Sequence, residues 1–151
     1  MATTIAAATL TVDITETITL GGVNKGSSAS VDIGSIGEID NRIMSVTDGS
    51  GGTAIFGVDT AASGLAHAKA NVKYVRITNL DTSNYLILQL TDEVSHYWEL
   101  KLEAGKSFVF GDVTSFDDQA DIDNFAAAVI KKVIGKANSA ACDIELYIAS
   151  T

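Results

Sequence analysis

A chain of 151 residues, 46% hydrophobic and 19% charged, is long enough and apolar enough to fold as one domain with a buried core, and too apolar to be a disordered tail. Its formal net charge of −9, with basic residues scattered and only Lys131 and Lys132 adjacent, argues against a nucleic-acid binder, which needs clustered cations, and against anionic membranes. A single cysteine, Cys142, excludes an intramolecular disulfide and a multi-cysteine zinc site, so the fold does not depend on an oxidising compartment.

Met1 to Leu10 carries no basic segment followed by a continuous apolar run, so no signal peptide is read there, and no apolar run approaches the ~20 residues that span a bilayer. Met1 to Thr9 is read as an N-terminal arm, and residues 10–151 as a single domain. From Leu10 to Leu20 apolar residues occupy the even positions and polar ones the odd, with Glu16 the one break. A period of two marks a half-buried strand, and the threonines raise β-propensity. Gly21-Gly22 ends it, and Asn24 to Ser28 reads as a turn. Val31 to Ile39, interrupted by Gly34 and Gly37, reads as a bulged strand, and Ile43 to Val46 as a short one. Asp48 to Gly52 is the strongest loop signal; Ala54 to Val58 is a further short strand, and the alanine-rich Thr60 to Ala70 reads as a loop.

The pattern sharpens from Asn71. Val72 to Leu80 is a strand, Asp81 to Asn84 a turn, and Tyr85 to Leu90 a strand apolar on both faces, as expected inside a sandwich or under a partner chain. His96, Trp98, Leu100 and Leu102 alternate with Tyr97, Glu99, Lys101 and Glu103; Ala104-Gly105-Lys106 turns the chain, and Phe108 to Phe110 returns. An acidic loop runs from Asp112 to Asn124. Helix-spaced Phe125, Val129, Ile130 and Val133 compete with a strand reading, which resolves into a short helical turn followed by a strand from about Val129. The last strand is Cys142 to Ile148. Short strands at even spacing, with no internal repeat, predict an all-β protein: a single antiparallel β-sandwich, jelly-roll-like, with one short helix.

No motif for chemistry survives inspection. Gly105-Lys106-Ser107 resembles the tail of a phosphate-binding loop, but Leu100 stands where that motif needs glycine, and strands flank it on both sides, so it reads as a hairpin turn. His67 and His96 have no second ligand at metal spacing. Cys142 sits on the apolar face of its strand and reads as a small buried hydrophobe, not as the nucleophile of a Cys-His pair. Asp112, Asp117, Asp118, Asp121 and Asp123 match no calcium-loop spacing and read as a solvated acidic loop. Tyr85, Tyr97 and Trp98 offer a sugar-stacking platform, yet adjacent strand residues point to opposite faces, so Tyr97 and Trp98 cannot share one. No catalytic, cofactor-binding or metal residues are assigned, and the chain is read as non-enzymatic.

Three internal segments carry a resemblance: Leu10-Thr11-Val12-Asp13-Ile14-Thr15-Glu16, Tyr74-Val75-Arg76-Ile77-Thr78-Asn79-Leu80-Asp81, and Tyr97 through Phe108 with its Leu102-Glu103-Ala104-Gly105-Lys106-Ser107-Phe108 turn. With the ending Cys142 to Ala149, they resemble small structural proteins of tailed phages, especially aquatic ones. That resemblance implies a virion β-sandwich without an active site, made in the host cytoplasm and located in the virion, and it does not separate capsid decoration from tail or fibre parts; the leading reading is a capsid cement or decoration protein bound to the major capsid protein or other virion proteins. It also implies a homo-oligomer. A tail, baseplate or fibre part is the first alternative, and a carbohydrate-binding module the second.

Overall fold

The computed structural model describes residues 6–59, 66–68, 70–92, 97–111, 116–117, 127–128 and 130–151. Among them every regular element is a β-strand.

The chain begins with a ribbon. β1 (Ala8–Thr15) pairs antiparallel with β4 (Ser28–Ile36), and at the tip β2 (Thr19–Leu20) pairs with β3 (Val23–Asn24). The strand expected from Leu10 to Leu20 ends at Thr15 and resumes only as the short β2, and it belongs to this ribbon and not to the sandwich: β1 and β4 form a two-stranded sheet of their own. The ribbon ends in an irregularity. The register shifts between Ala8 and Leu10, and on β4 Ser35 takes φ of 63°, a left-handed conformation that lets the strand bend before it resumes.

The body follows from Glu38. Its strands are β5 (Glu38–Val46), β6 (Thr53–Asp59), β7 (Ala66–Ala68), β8 (Val72–Asn79), β9 (Leu86–Thr91), β10 (Tyr97–Leu102), β11 (Ser107–Phe110), β14 (Lys132–Ala137) and β15 (Cys142–Ser150). A separate two-residue ladder joins β12 (Phe116–Asp117) to β13 (Ala127–Ala128). One sheet runs β11-β8-β15-β5 and the other β10-β9-β14-β6-β7. Setting β7 aside, the chain changes sheet at every successive body strand except between β9 and β10. That is jelly-roll connectivity, as the sequence led us to expect.

Three expectations need correction. Ile43 to Val46 is only the end of β5, a strand of nine residues. In the stretch read as a loop, Ala66–Ala68 forms β7, which pairs parallel to β6, whereas an antiparallel fold was expected; residues 60–65 and 69 lie outside the described residues. The helical turn expected before Val129 is absent from the described residues: Ala127–Ala128 is a strand, while Phe125, Ala126 and Val129 lie outside them.

The core sits between the two sheets. Leu86, Leu88 and Leu90 of β9 face Ile144, Leu146 and Ile148 of β15, all 3% exposed or less. β9 and β15 are interior strands, each with a neighbour on both sides, so their apolar faces are covered from every direction. Burying each such side chain contributes roughly 1.5–3 kcal/mol. Gly105, with φ of 69°, makes the tight turn from β10 to β11 that a side chain would strain.

Candidate functional site

The residues singled out for chemistry are not brought together. Gly105 and Lys106 form a backbone turn, Gly105 N donating to Asn79 O at 3.1 Å and Lys106 N to Glu103 O at 3.1 Å, and Ser107 opens β11. A strand on either side leaves no helix N-terminus for a phosphate. Cys142 is fully buried, its Sγ 3.7 Å from the carbonyl oxygen of Ala140 and 3.9 Å from that of Tyr85, and burial pushes its thiol pKa up. A raised pKa removes the thiolate that a nucleophile needs. His67 lies on β7 with Nε2 3.3 Å from Asp40 Oδ2, its ring edge-on to Phe56. His96, Asp112, Asp118, Asp121 and Asp123 lie outside the described residues, and of Asp117 only the backbone in β12 is described. Among the described residues no three His, Cys, Asp or Glu side chains gather as metal ligands.

The aromatic trio is divided as strand geometry requires. Trp98 pairs with the buried Leu90, so it faces inward at the mouth of the sandwich, half-exposed, 5.7 Å from the Phe108 ring. Tyr97 points outward. Tyr85 lies under the Lys101 ammonium, 4.1 Å from its ring centroid.

What the fold does assemble is surface. Residues directly opposite in an antiparallel pair share a face. On the ribbon, Leu10 opposes Ile33, Val12 opposes Val31 and Ile14 opposes Ala29, so one face is wholly apolar. On the other face Thr11 Oγ1 donates to Asp32 Oδ1 at 2.7 Å and Ser30 Oγ to Asp13 Oδ1 at 2.6 Å. Near the turn, Ser27 Oγ donates to Glu16 Oε2 at 2.6 Å. The polar face thus satisfies itself. The apolar face does not: Ile14 is 57% exposed and Val31 59%, and Ile18, Leu20 and Val23 continue the exposure to the tip. Sequence alternation flagged β1 as half-buried; it could not say that Ile14 and Val31 would stay more than half exposed among the described residues.

The outer faces of the two body sheets differ. On β9, β10 and β14 the outer face carries Glu99, Lys101, Lys132 and Lys136, with Ile87, Ile134 and the exposed Tyr97 among them, a mixed surface dominated by charge. On β8 and β15 it carries Tyr74, Arg76, Glu145 and Tyr147. Arg76 donates to Glu145 at 2.9 Å and stands 5.8 Å over the Tyr147 ring, and Tyr74 meets Tyr147 edge-on at 6.0 Å. Tyrosine and arginine on one flat face is the composition of a protein interface.

β5 borders that face. Its partner among the described residues is β15, which leaves its other side an open edge nine residues long. The pairing of Ile148 with Asp40 and Leu146 with Arg42 turns these two charges inward, onto the rim of the core. There Arg42 Nη1 reaches Asp40 at 3.5 Å and Nη2 donates to the carbonyl oxygen of Ile55 at 3.0 Å, while His67 closes on Asp40 from the other sheet. Arg42 Nε has no hydrogen-bond partner among the described residues. Ile39 and Ile43 point outward and are 46% and 68% exposed.

Comparison with known proteins found no matching family model, no matching curated protein and no matching solved structure.

Proposed function

We propose that this chain is a non-enzymatic structural protein of a virus particle, of the cement or decoration type, which binds the major capsid protein and braces the shell. The observation that carries the reading is the ribbon, whose apolar face has Ile14 and Val31 more than half exposed. A two-stranded hairpin alone in water is marginally stable, and an exposed apolar face of this kind marks a contact surface. The ribbon is therefore completed by a partner. A shell protein presents the same surface many times over, which suits a small jelly-roll body carrying one adhesive arm. The likeness of Leu10 to Glu16 and of Tyr97 to Phe108 to segments of tailed-phage structural proteins points the same way. The virion is then the site of action, the host cytoplasm the site of synthesis, and the partner a protein, not nucleic acid or membrane.

The test is the copy number of this chain in purified particles, measured by quantitative mass spectrometry against the most abundant shell protein, together with particle binding by Ile14→Asp and Val31→Asp. A ratio that is a simple fraction of one, and loss of particle binding in variants that keep the far-ultraviolet spectrum of the parent, are the expected results. A few copies per hundred shell proteins would move the chain to the tail, baseplate or fibre. Absence from the particle would discard the virion reading and turn attention to glycan binding by the outward-facing Tyr97.

A further inference from the structure

The open edge of β5 has a sequence that is complementary to itself. Its centre reads Ile39-Asp40-Asn41-Arg42-Ile43. We infer that two copies of this chain join edge to edge through β5, antiparallel, about a two-fold axis at Asn41, to form one continuous sheet across the dimer.

The backbone permits it. Leu80 N donates to Asp143 O, which turns the odd-numbered backbone groups of β15 toward β8 and the even-numbered ones toward β5. The residues of β5 opposite those even positions are themselves even, from Glu38 to Val46. The N–H and C=O groups of Ile39, Asn41, Ile43 and Ser45 therefore point to the open side, where a second strand can take them.

Side-chain charge selects the register. With the axis at Asn41, Asp40 lies opposite Arg42 of the second copy, twice by symmetry, and Ile39 lies opposite Ile43. The charged pairs fall on the inner rim and the isoleucines on the outer face, with Asn41 facing Asn41. Moving the axis to Asp40 opposes Arg42 to Glu38 but sets Asp40 against Asp40 at the centre, and moving it to Arg42 sets Arg42 against Arg42 with Asp40 against Met44; each puts like charges in a directly opposed pair, which is repulsive. An axis at Ile39 sets Glu38 against Asp40. An axis at Ile43 sets Asp40 against Val46 and Arg42 against Met44 and so forgoes both ion pairs across the axis, whereas the axis at Asn41 makes both and leaves only the exposed Glu38 opposite Met44. Inward-pointing charges usually protect an edge from indiscriminate pairing. Here they reject other strands and accept their own copy, so the edge closes by a self-complementary contact that cannot propagate into fibres. The dimer stands on β5 and not on the ribbon, so it persists even where the virion reading fails.

Light scattering on the full chain across a concentration series reads the mass, and cysteine substitutions read the register. The expected result is twice the chain mass for the parent. Asp40→Lys, which sets Lys against Arg42 of the second copy, should weaken dimerisation at least tenfold, and the swap Asp40→Lys with Arg42→Glu should restore it. Asn41→Cys should form a disulfide between copies on addition of an oxidant, because directly opposed Cα atoms in such a ladder are about 4.5–5.5 Å apart. Ser45→Cys, on the same edge but far from the axis, should not. A parent that stays monomeric, an Asp40→Lys dimer of undiminished affinity, or crosslinking at Ser45→Cys equal to that at Asn41→Cys would overturn the inference. If Asp40→Lys fails to fold, the two cysteine variants decide alone.

Discussion

Asn79 and Leu102 lie on opposite sheets, and one side-chain amide joins them: Nδ2 of Asn79 donates to the carbonyl oxygen of Leu102 at 3.2 Å and to that of Asn84 at 2.9 Å. Its Oδ1 accepts the N–H of Asp81 at 3.0 Å, and the side chain is fully buried. Every polar atom of this buried amide is used, as burial requires. Asn79→Ala removes the partner of the Leu102 carbonyl at the end of β10 and of the Asn84 carbonyl and Asp81 N–H in the turn between β8 and β9. The expected cost is about 2–4 kcal/mol of unfolding free energy, measured by urea denaturation.

Asp81 extends the same turn. Its Oδ1 accepts the N–H groups of Ser83 and Asn84, each at 2.7 Å, and these bonds, with that from Asn84 the stronger influence, hold its carboxyl below the ordinary 3.8. A depressed carboxylate pKa contributes stability above the unfolded value and loses it as pH falls through the folded one. The gap in urea midpoint between the parent and Asp81→Ala should therefore be full at neutral pH and close as pH drops below about 3.8. A gap that stays constant into acid would show that the carboxylate charge is irrelevant to the turn.

Gly135 faces the core on β14, packed against side chains of both sheets. A Cβ there would lie 2.9 Å from Cδ1 of Ile55 and 3.1 Å from Cγ1 of Val46, both fully buried. Gly135→Ala should overpack the core and cost roughly 1–3 kcal/mol, although alanine favours neither turn nor bulge. Pairing it with Ile55→Val, which removes the clashing methyl, should recover part of the loss in a thermal melt.

Cys142 gives a probe of opening. Burial, then the nearby charges of Asp81 and Asp143, raise its thiol pKa above the ordinary 9.0. Iodoacetamide should modify it in the native protein only at the rate at which the body unfolds, and at the free-thiol rate in denaturant. A raised thiol pKa contributes stability below the unfolded value that declines as pH rises past it, so Cys142→Ala should narrow its stability difference from the parent above about pH 9. Rapid native labelling would show that the strand end at Cys142 frays on its own.

Much of the architecture is legible in local pattern. The alternation from Cys142 to Ile148 marks β15 because burial on one face leaves a direct trace in the sequence. The two-sided apolarity around Leu86 to Leu90 marks β9 as an interior strand for the same reason. β5 is the instructive failure. Its inner face carries Asp40 and Arg42, which break the apolar alternation, so its two ends read as parts of separate strands and Asp40 to Arg42 as a break. Those charges are tolerated because β5 is an edge strand whose inner rim is reached by solvent and by His67 from the other sheet, a contact 27 residues away in sequence.

The sequence by itself determined that the chain is all-β, where most strands lie and that no familiar catalytic motif is present, because each of these follows from the period and identity of near neighbours. Whether an apolar face ends in the core or in solvent is another matter. Leu10, Val12 and Ile14 alternate as cleanly as Ile144, Leu146 and Ile148, yet Leu10 and Val12 stay partly uncovered and Ile14 more than half so, while the second set is sealed. Only the tertiary structure decided that, since the cover for a sheet face comes from strands distant in the chain, and among the described residues the jelly-roll crossing sets two sheets face to face in the body and leaves β1 and β4 as a two-stranded sheet of their own.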